Sequence, residues 1–334
     1  SIFLCSLMFL GSALVHAQGT KPFITKWNIP RTRDKVIRIK LNPNLTYDFS
    51  YVWKNENGEV VRSGNHTSLD GDRNFNLPDE GTYTLEISGT FPHLYDYSKV
   101  DGWFAGNDNR LLDVLSWGDI QWESFAASFS EWRGVTFSAT DVPNLSQVKD
   151  MSSMFEEAAN FNGDLNDWNV SRVTDMGSMF EGATSFAKRL SGWNVSRVTN
   201  MNSMFKGATA FDGNLTDWDV SKVTDMESMF EGASEFNGNG KNLNKWDVSR
   251  VRNMSCMFEN ATSFNHKIEG WDVDKVTNMR RMFRNAQKFN QDISKWDPGK
   301  VTDMNNMFYK ASDFNGGDDN LNNWDVSNVR DMSN

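Results

Sequence analysis

The sequence has few of the residues that stabilise small secreted proteins or that do chemistry in enzymes. It contains two cysteines, Cys5 and Cys256, and four scattered histidines among 334 residues. Two cysteines exclude a framework of several disulfides. No two histidines have the spacing of metal ligands, and the nucleophile-elbow, H-E-x-x-H and phosphate-loop motifs are absent. These absences predict a protein that is not an enzyme and that binds no metal or other cofactor.

The chain also lacks an excess of positive charge and any long apolar run. Its formal net charge is −10, which disfavours nucleic acid as a partner because that binding needs clustered Lys and Arg. The one apolar run, residues 1–17, is too short to span a bilayer, and its end at Val15-His16-Ala17 fits a signal-peptidase site. We therefore predict a signal peptide over 1–17, no membrane span in this chain, and a secreted or cell-surface protein. An apolar N-terminal strand is the alternative for this run.

Residues 18–98 have the pattern of a small antiparallel β-sandwich. Four segments alternate in polarity or are rich in β-branched and aromatic residues, at 23–27, 36–40, 47–53 and 82–88. Residues 55–58 and 79–81 are typical of turns. Residues 99–150 show only degenerate versions of the pattern that follows. They predict a cap between the sandwich and a repeat region over 151–334.

An internal repeat of about 25 residues dominates the region 151–334. Trp recurs at intervals of 25, 25, 28, 25, 25 and 28 residues, at positions 168, 193, 218, 246, 271, 296 and 324. Fifteen of the 16 Met residues lie in the repeated M-x-x-M-F motif, counting Met332 of a last, shortened copy. One unit cannot bury its apolar face alone, so we predict about seven stacked units. The shortened copy predicts that the natural protein continues.

The pattern of one unit predicts both strand and helix. Trp218 and Val220 flank Asp219, as on a short strand with one buried face. Four apolar residues then follow at i, i+3, i+4 and i+7, the spacing of one face of a helical turn: Met226, Met229, Phe230 and Ala233. We therefore predict the α+β class: a small antiparallel β-sandwich followed by a leucine-rich-repeat-like solenoid of short strands and helical turns.

The repeat W-[DN]-V-S-x-V-T-[DN]-M-x-x-M-F-x-x-A-x-x-F-N resembles that of the BspA-type leucine-rich-repeat surface proteins of bacteria. The stretches 23–27, 81–91 and 117–122 look like the leader that those proteins carry, and such leaders resemble a PKD-like β-sandwich. The resemblance implies an extracellular protein of adhesion and protein–protein interaction, without enzyme activity. Ala187 and Pro298 depart from the pattern, because the other units have Asn or Asp and Val there.

Two polar columns are predicted to be exposed on the stacked units. The candidate binding face is the column of basic residues that precede the second Val of each unit: Arg172, Arg197, Lys222, Arg250, Lys275 and Lys300. Three residues later comes a column of Asp and Asn: Asp175, Asn200, Asp225, Asn253, Asn278, Asp303 and Asp331. A repeating polar face suits an extended acidic partner. A mutual charge network between the columns is the alternative.

Other repeated residues have both a structural and a binding interpretation. The Trp column suits sugar stacking, but it shares its face with Val, so we expect it in the core. Loops rich in Asn, Asp and Gly could hold calcium, yet these are common turn residues. Cys256 is interpreted as a small residue in place of Ser. Glu181, Lys206 and Arg284, which follow the M-x-x-M-F motif, are predicted to point outward and differ between units, as on a binding surface.

The sequence thus predicts a secreted or cell-surface adhesion or interaction protein. Its repeats would present a multivalent surface to an extracellular protein, or to a host or matrix surface. Two alternatives stay open. One is a spacer that only projects a missing C-terminal module. The other is a surface protein that binds glycans through the Trp column and the Asn-rich loops.

Overall fold

The computed structural model describes residues 21–31, 35–66, 73–94, 110–237, 242–316 and 321–333. The predicted signal peptide lies outside the described residues, as do parts of the loops at the two longer Trp intervals. The strands are β1 (Phe23–Ile29), β2 (Val36–Ile39), β3 (Asp48–Lys54), β4 (Val60–His66), β5 (Arg73–Asn76), β6 (Gly81–Thr90), β7 (Leu111–Ser116) and β8 (Thr136–Phe137). Strands β1, β2, β3 and β6 confirm the four strand segments predicted from the sequence.

The strands form two layers. A six-stranded sheet has the order β4-β3-β6-β1-β7-β8, and β2 pairs with β5 in a two-stranded sheet. Alternate residues of β1, β3 and β6 are buried, because successive side chains of a strand point to opposite faces. The small sheet contributes to the same core: the Phe75 ring lies 4.9 Å from the Tyr51 ring and 5.3 Å from the Trp53 ring, centroid to centroid.

Stacked coils continue from the edge of the larger sheet. Strands β7 and β8 pair in parallel, and single-residue parallel bridges then join each coil to the next, from Asp150↔Asp175 to Asp303↔Asp331. The coil backbone already begins before the first M-x-x-M-F motif. The Phe125 N–H donates to the Asp150 carbonyl at 3.0 Å, and the Phe129 N–H donates to the Met154 carbonyl at 2.9 Å.

The predicted α+β class is wrong, because the described residues contain no helix. The M-x-x-M-F segment is a chain of β-turns, in which the N–H groups of Met179, Glu181 and Ala183 donate to the carbonyl three residues earlier. The intervening N–H groups leave the coil and donate to carbonyls 24 residues later, at 2.7–3.1 Å. These pairs are Met176 to Asn200, Ser178 to Asn202, Phe180 to Met204 and Gly182 to Lys206. The short strand predicted at Trp218–Val220 is also wrong, since no strand or bridge forms there, and the single parallel bridges of each unit lie further along, at Asp225 and its equivalents.

Left-handed residues explain why these segments are not helical. Ser178 has φ 54° and Gly182 has φ 71°, and the equivalent residues of the following coils have similar values. An α-helix needs right-handed residues throughout and N–H groups that donate to the fourth residue back. The helical spacing nevertheless identified the buried face, since Met226, Met229 and Phe230 are 0% exposed. A chain of alternating turns brings the same positions to one side.

Candidate binding surface

The six basic residues of the candidate face are all exposed, one on each successive coil. They are Arg172, Arg197, Lys222, Arg250, Lys275 and Lys300, and we call them the cation row. The local turn explains their orientation. The Val223 N–H donates to the Val220 carbonyl at 2.9 Å, so Lys222 lies at the corner of a β-turn between two buried Val side chains.

An Asx turn supports this corner. The Asp219 side chain accepts the N–H of Ser221 at 3.1 Å. The hydroxyl and N–H of Ser221, with a smaller contribution from Lys222, hold the pKa of Asp219 below its usual range. Asn169 and Asn194 replace this Asp in the first two coils of the row, so Arg172 and Arg197 have neutral neighbours there. The positive charge of the row is therefore least compensated at its N-terminal end.

Within the described ranges, no carboxylate oxygen lies within 4.0 Å of a cation of the row. Lys275 donates instead to the backbone carbonyl of Ser249 at 2.9 Å. The Asp and Asn column has another role, since its side chains open the turns of the M-x-x-M-F segment. Asp175, for example, accepts the Gly177 N–H at 2.9 Å and the Asn200 side-chain amide at 3.0 Å. These side chains stabilise the stack.

The Trp column lies in the core, as expected. Trp168 through Trp296 are 2–4% exposed, and consecutive rings such as Trp193 and Trp218 are parallel, with centroids 6.4 Å apart. From Trp193 onward each indole N–H of the column is also satisfied within the protein: that of Trp193 donates to the Leu165 carbonyl at 2.8 Å. The ring faces are therefore covered by the neighbouring coils.

The residues after the M-x-x-M-F motif form an ion-pair network between coils. Lys206 lies 3.4 Å from Glu181 and 4.0 Å from Glu231. Burial acts to lower the Lys206 pKa, but the two carboxylates outweigh it and the pKa is raised. Arg284 donates to Glu259 at 2.5 Å. The variation between units at Glu181, Lys206 and Arg284 thus includes complementary charges on neighbouring coils, which the sequence comparison of units had not indicated.

Cys256 behaves as a small structural residue. Burial, followed by the nearby Glu259 carboxylate, raises the pKa of its thiol to about 12. The thiol therefore stays protonated near neutral pH, where a nucleophilic cysteine would be ionised.

Shallow grooves run between coils beside the Trp edges. One has a volume of about 320 Å³ and lies between Trp168 and the next coil, with Asn166, Asn169 and Asn194 among its lining residues. An equivalent groove of about 350 Å³ lies beside Trp218. Amide and carboxylate groups of adjacent coils line these grooves, and Thr216 and Lys245 also line the second one.

The described part of the chain holds neither a candidate metal site nor a membrane-spanning helix. Across the described part of the chain, no three His, Cys, Asp or Glu side chains converge on a point that could hold a metal ion. The described residues also include no helix with the length and apolar character needed to cross a membrane.

Comparisons with known proteins give one match, to the repeat region. No curated protein and no solved structure is significantly similar to the chain. A family model described as "Mycoplasma protein of unknown function, DUF285" matches residues 123–243 and 238–334. The first matched residue coincides with the start of the coil backbone near Phe125. Because the two matches together cover more than half of the sequence, the chain belongs to the DUF285 family.

Proposed function

We propose that this chain is a secreted or cell-surface protein whose cation row binds acidic groups of an extracellular protein. The supporting observation is the row itself: six exposed cations, one per coil, with no carboxylate oxygen within 4.0 Å among the described residues. At roughly 4.8 Å per coil, the row is roughly 24 Å long. A partner with several carboxylates along one edge would contact several coils at once.

Repetition supplies the affinity in this proposal. One exposed ion pair contributes at most about 1 kcal/mol, so a single coil would bind weakly. Several coils on one rigid stack raise the effective concentration of each further contact. The stack is rigid because every coil donates backbone hydrogen bonds to the next.

The test is binding of the full chain to arrayed extracellular-matrix proteins and glycans. We expect a protein hit that weakens with rising salt and with the double substitution Lys222→Glu and Arg250→Glu. The matched control is Arg189→Glu with Lys267→Glu, which changes charge equally at two exposed residues that each precede a Trp by four positions. Loss of the hit in both double variants would refute a specific role of the row.

Two other functions are distinguished by the same array. Glycan binding through the grooves beside the Trp edges is the second candidate, because grooves of similar volume recur between coils, one lined by Asn and the other by Asp. It predicts a glycan hit that is lost on Asn169→Ala and unchanged by the row substitutions. A spacer predicts no hit from a protein that unfolds cooperatively.

A further inference from the structure

The turn side of the stack changes its sign of charge between two neighbouring coils. We define the turn face as the two residues inside each M-x-x-M-F motif and the two residues after it. In the five motifs from Met151 to Phe258, the turn face holds six Glu and one Lys. In the two motifs that begin at Met279 and Met304, it holds Arg280, Arg281, Arg284 and Lys310 and no acidic residue. A basic patch therefore borders an acidic surface.

Arg281 is the anomalous residue of this patch. Its φ is 56°, in the left-handed region, and the other motifs have short residues at this position: Ser153, Ser178, Ser203, Ser228, Cys256 and Asn306. Residues other than Gly, Asn and Asp are uncommon in that region, and Arg281 is the one long side chain at this position of the motif, although Glu157 and Lys310 adopt a similar φ at another position of their coils. Ser would therefore serve the coil as well as Arg, and the arginine calls for another explanation.

The guanidinium of Arg281 also lacks a partner that it needs. Its Nε is buried and makes no hydrogen bond, and no carboxylate oxygen among the described residues lies within 4.0 Å of its nitrogens. A buried donor without an acceptor destabilises the folded chain. An acidic group from outside the chain would provide the missing acceptor, since Arg binds carboxylates through two parallel N–H donors.

The turn face of these two coils carries residue types that are common at the centre of protein interfaces. Tyr309 is 38% exposed, and the Arg284 guanidinium and the Lys310 ammonium lie 5.6 and 5.4 Å from its ring centroid. Arg280 is exposed and makes no ion pair within 4.0 Å among the described residues. Arg and Tyr side chains dominate the binding energy of many protein interfaces.

We propose that Arg280, Arg281 and Tyr309 form a docking site for a short acidic segment of a partner protein. The site spans two coils, which is roughly 5 Å between coil planes. The exposed Glu227 carboxylate lies two coils before Arg281 on the same face, so a long and uniformly negative polysaccharide would be repelled beyond the patch. A short segment with a few acidic residues fits the two coils of the basic patch. This site does not depend on the cation row, which lies at other positions of the coil.

The test measures binding of a fluorescent peptide, six consecutive Glu residues between Gly-Ser spacers, to the full chain by fluorescence anisotropy. Arg281→Ser should weaken binding about tenfold. The same substitution should leave the free energy of unfolding equal or higher, because Ser fits this position in four other motifs. The matched control is Arg252→Thr, which removes one exposed positive charge and introduces the residue of the equivalent positions 174, 199, 224, 277 and 302. It should change the affinity by about twofold or less.

Several outcomes would overturn the proposal. Equal affinity of the native chain and Arg281→Ser would exclude this arginine, and an equal loss in Arg252→Thr would show unspecific attraction. Binding of long sulfated dextran without binding of the peptide would indicate a polysaccharide. Loss of peptide binding only in Lys222→Glu with Arg250→Glu would place the peptide on the cation row. The first three outcomes leave the function proposed for that row untouched, so the two proposals fail separately.

Discussion

The two-layered sheet region and the coils bury aromatic residues in different ways. In the sheet region most rings meet edge-on: Trp27 and Trp53 are inclined by 65°, and Tyr51 and Phe75 by 71°. In the coils equivalent rings are nearly parallel, with angles of 3° between Trp193 and Trp218 and 2° between Trp246 and Trp271. Both regions use the same residue types, so composition does not cause the difference.

Chain geometry causes the difference in how the rings pack. Antiparallel pairing brings unlike residues together, as where Phe23 lies opposite Ile87, and each contact is specific to that pair. A coil repeated by translation places each residue against its own copy in the next coil. The sheet region therefore has one core built from many unlike contacts, whereas the stack is a series of similar interfaces in which each coil contacts its neighbours. The two regions should respond differently to damage.

Removing one ring from the stack should give the largest effect. Phe230 is 0% exposed and stacks on Phe205 and Phe258 at centroid distances of 5.5 and 5.7 Å. We expect Phe230→Ala to cost about 3–5 kcal/mol. Amide hydrogen exchange should rise in the neighbouring coils while strands β1 to β6 keep their protection. Phe75→Ala is the counterpart in the sheet region, and there exchange should rise throughout the sheet. Uniform loss of protection in both variants would mean that the regions unfold as one unit.

Acid should destabilise the junction between the sheet region and the coils. The His93 Nε2–H donates to the Ala126 carbonyl at 2.8 Å, and burial lowers the pKa of His93 from 6.5 to about 4. The unfolded chain therefore binds one more proton between these values, so stability is fully present above pH 6.5 and falls as the pH drops towards 4. The loss is about 3 kcal/mol.

Urea unfolding at several pH values tests the junction. In His93→Gln, which cannot titrate, the fall in the free energy of unfolding between pH 6.5 and 4 should be smaller by about 3 kcal/mol. The same pH dependence in both proteins would contradict the assignment to His93.

Two glycines with similar backbone angles should differ in how they tolerate a methyl group. Gly118, next to β7, has φ 62°, and Gly207, in a coil, has φ 69°. A Cβ on Gly118 would lie 2.4 Å from the Lys21 carbonyl oxygen, whereas on Gly207 its nearest contact would be the Gly182 nitrogen at 3.6 Å. Gly207→Ala should cost about 1–2 kcal/mol for the left-handed conformation alone. Gly118→Ala should cost more, and equal urea midpoints would refute the steric difference.

The smallest effect concerns a side-chain ladder that only the coils possess. The Asn265 side-chain oxygen accepts the Asn290 N–H at 2.9 Å and the Gln291 side-chain amide at 2.7 Å. Asn265→Ala should reduce the free energy of unfolding by about 1 kcal/mol. Asn160→Ala, at an exposed position, is the control and should stay within about 0.5 kcal/mol of the native chain. Similar losses in both variants would argue against the ladder.

The patterns of the sequence predicted burial better than backbone conformation. Period-two alternation located β1, β2, β3 and β6, where burial and conformation coincide. The spacing of Met226, Met229, Phe230 and Ala233 located the buried face of a coil but wrongly indicated a helix. The spacing reports only which side chains share a face, and turns with left-handed residues satisfy it too. Segment 123–132 was interpreted as a degenerate coil of the cap, yet its backbone bonds to the next coil as the regular units do, with Phe125 and Phe129 in place of the M-x-x-M-F motif.

For the candidate surfaces, too, the sequence predicted which side chains are exposed but not which groups they contact. Exposure of Lys222 and the other cations of the row followed from their place between two apolar residues of each unit. The sequence did not predict their distance from carboxylates. The Asp and Asn column is equally close in sequence, but its side chains bind N–H groups of the turns and of the next coil. The strain and missing partner of Arg281 had no signal in the sequence beyond its difference from the Ser of other units.

The sequence by itself determined the repeat, its period, the buried residues of each coil and the order of charges along each column. These properties depend on which residue types recur and at what spacing, and hydrophobic burial follows from that directly. Only the tertiary structure decided that alternate N–H groups bond to the next coil instead of forming a helix, and which charged side chains meet. The reason is that these contacts join residues one or more coils apart, and their geometry is set by the stacking of coils.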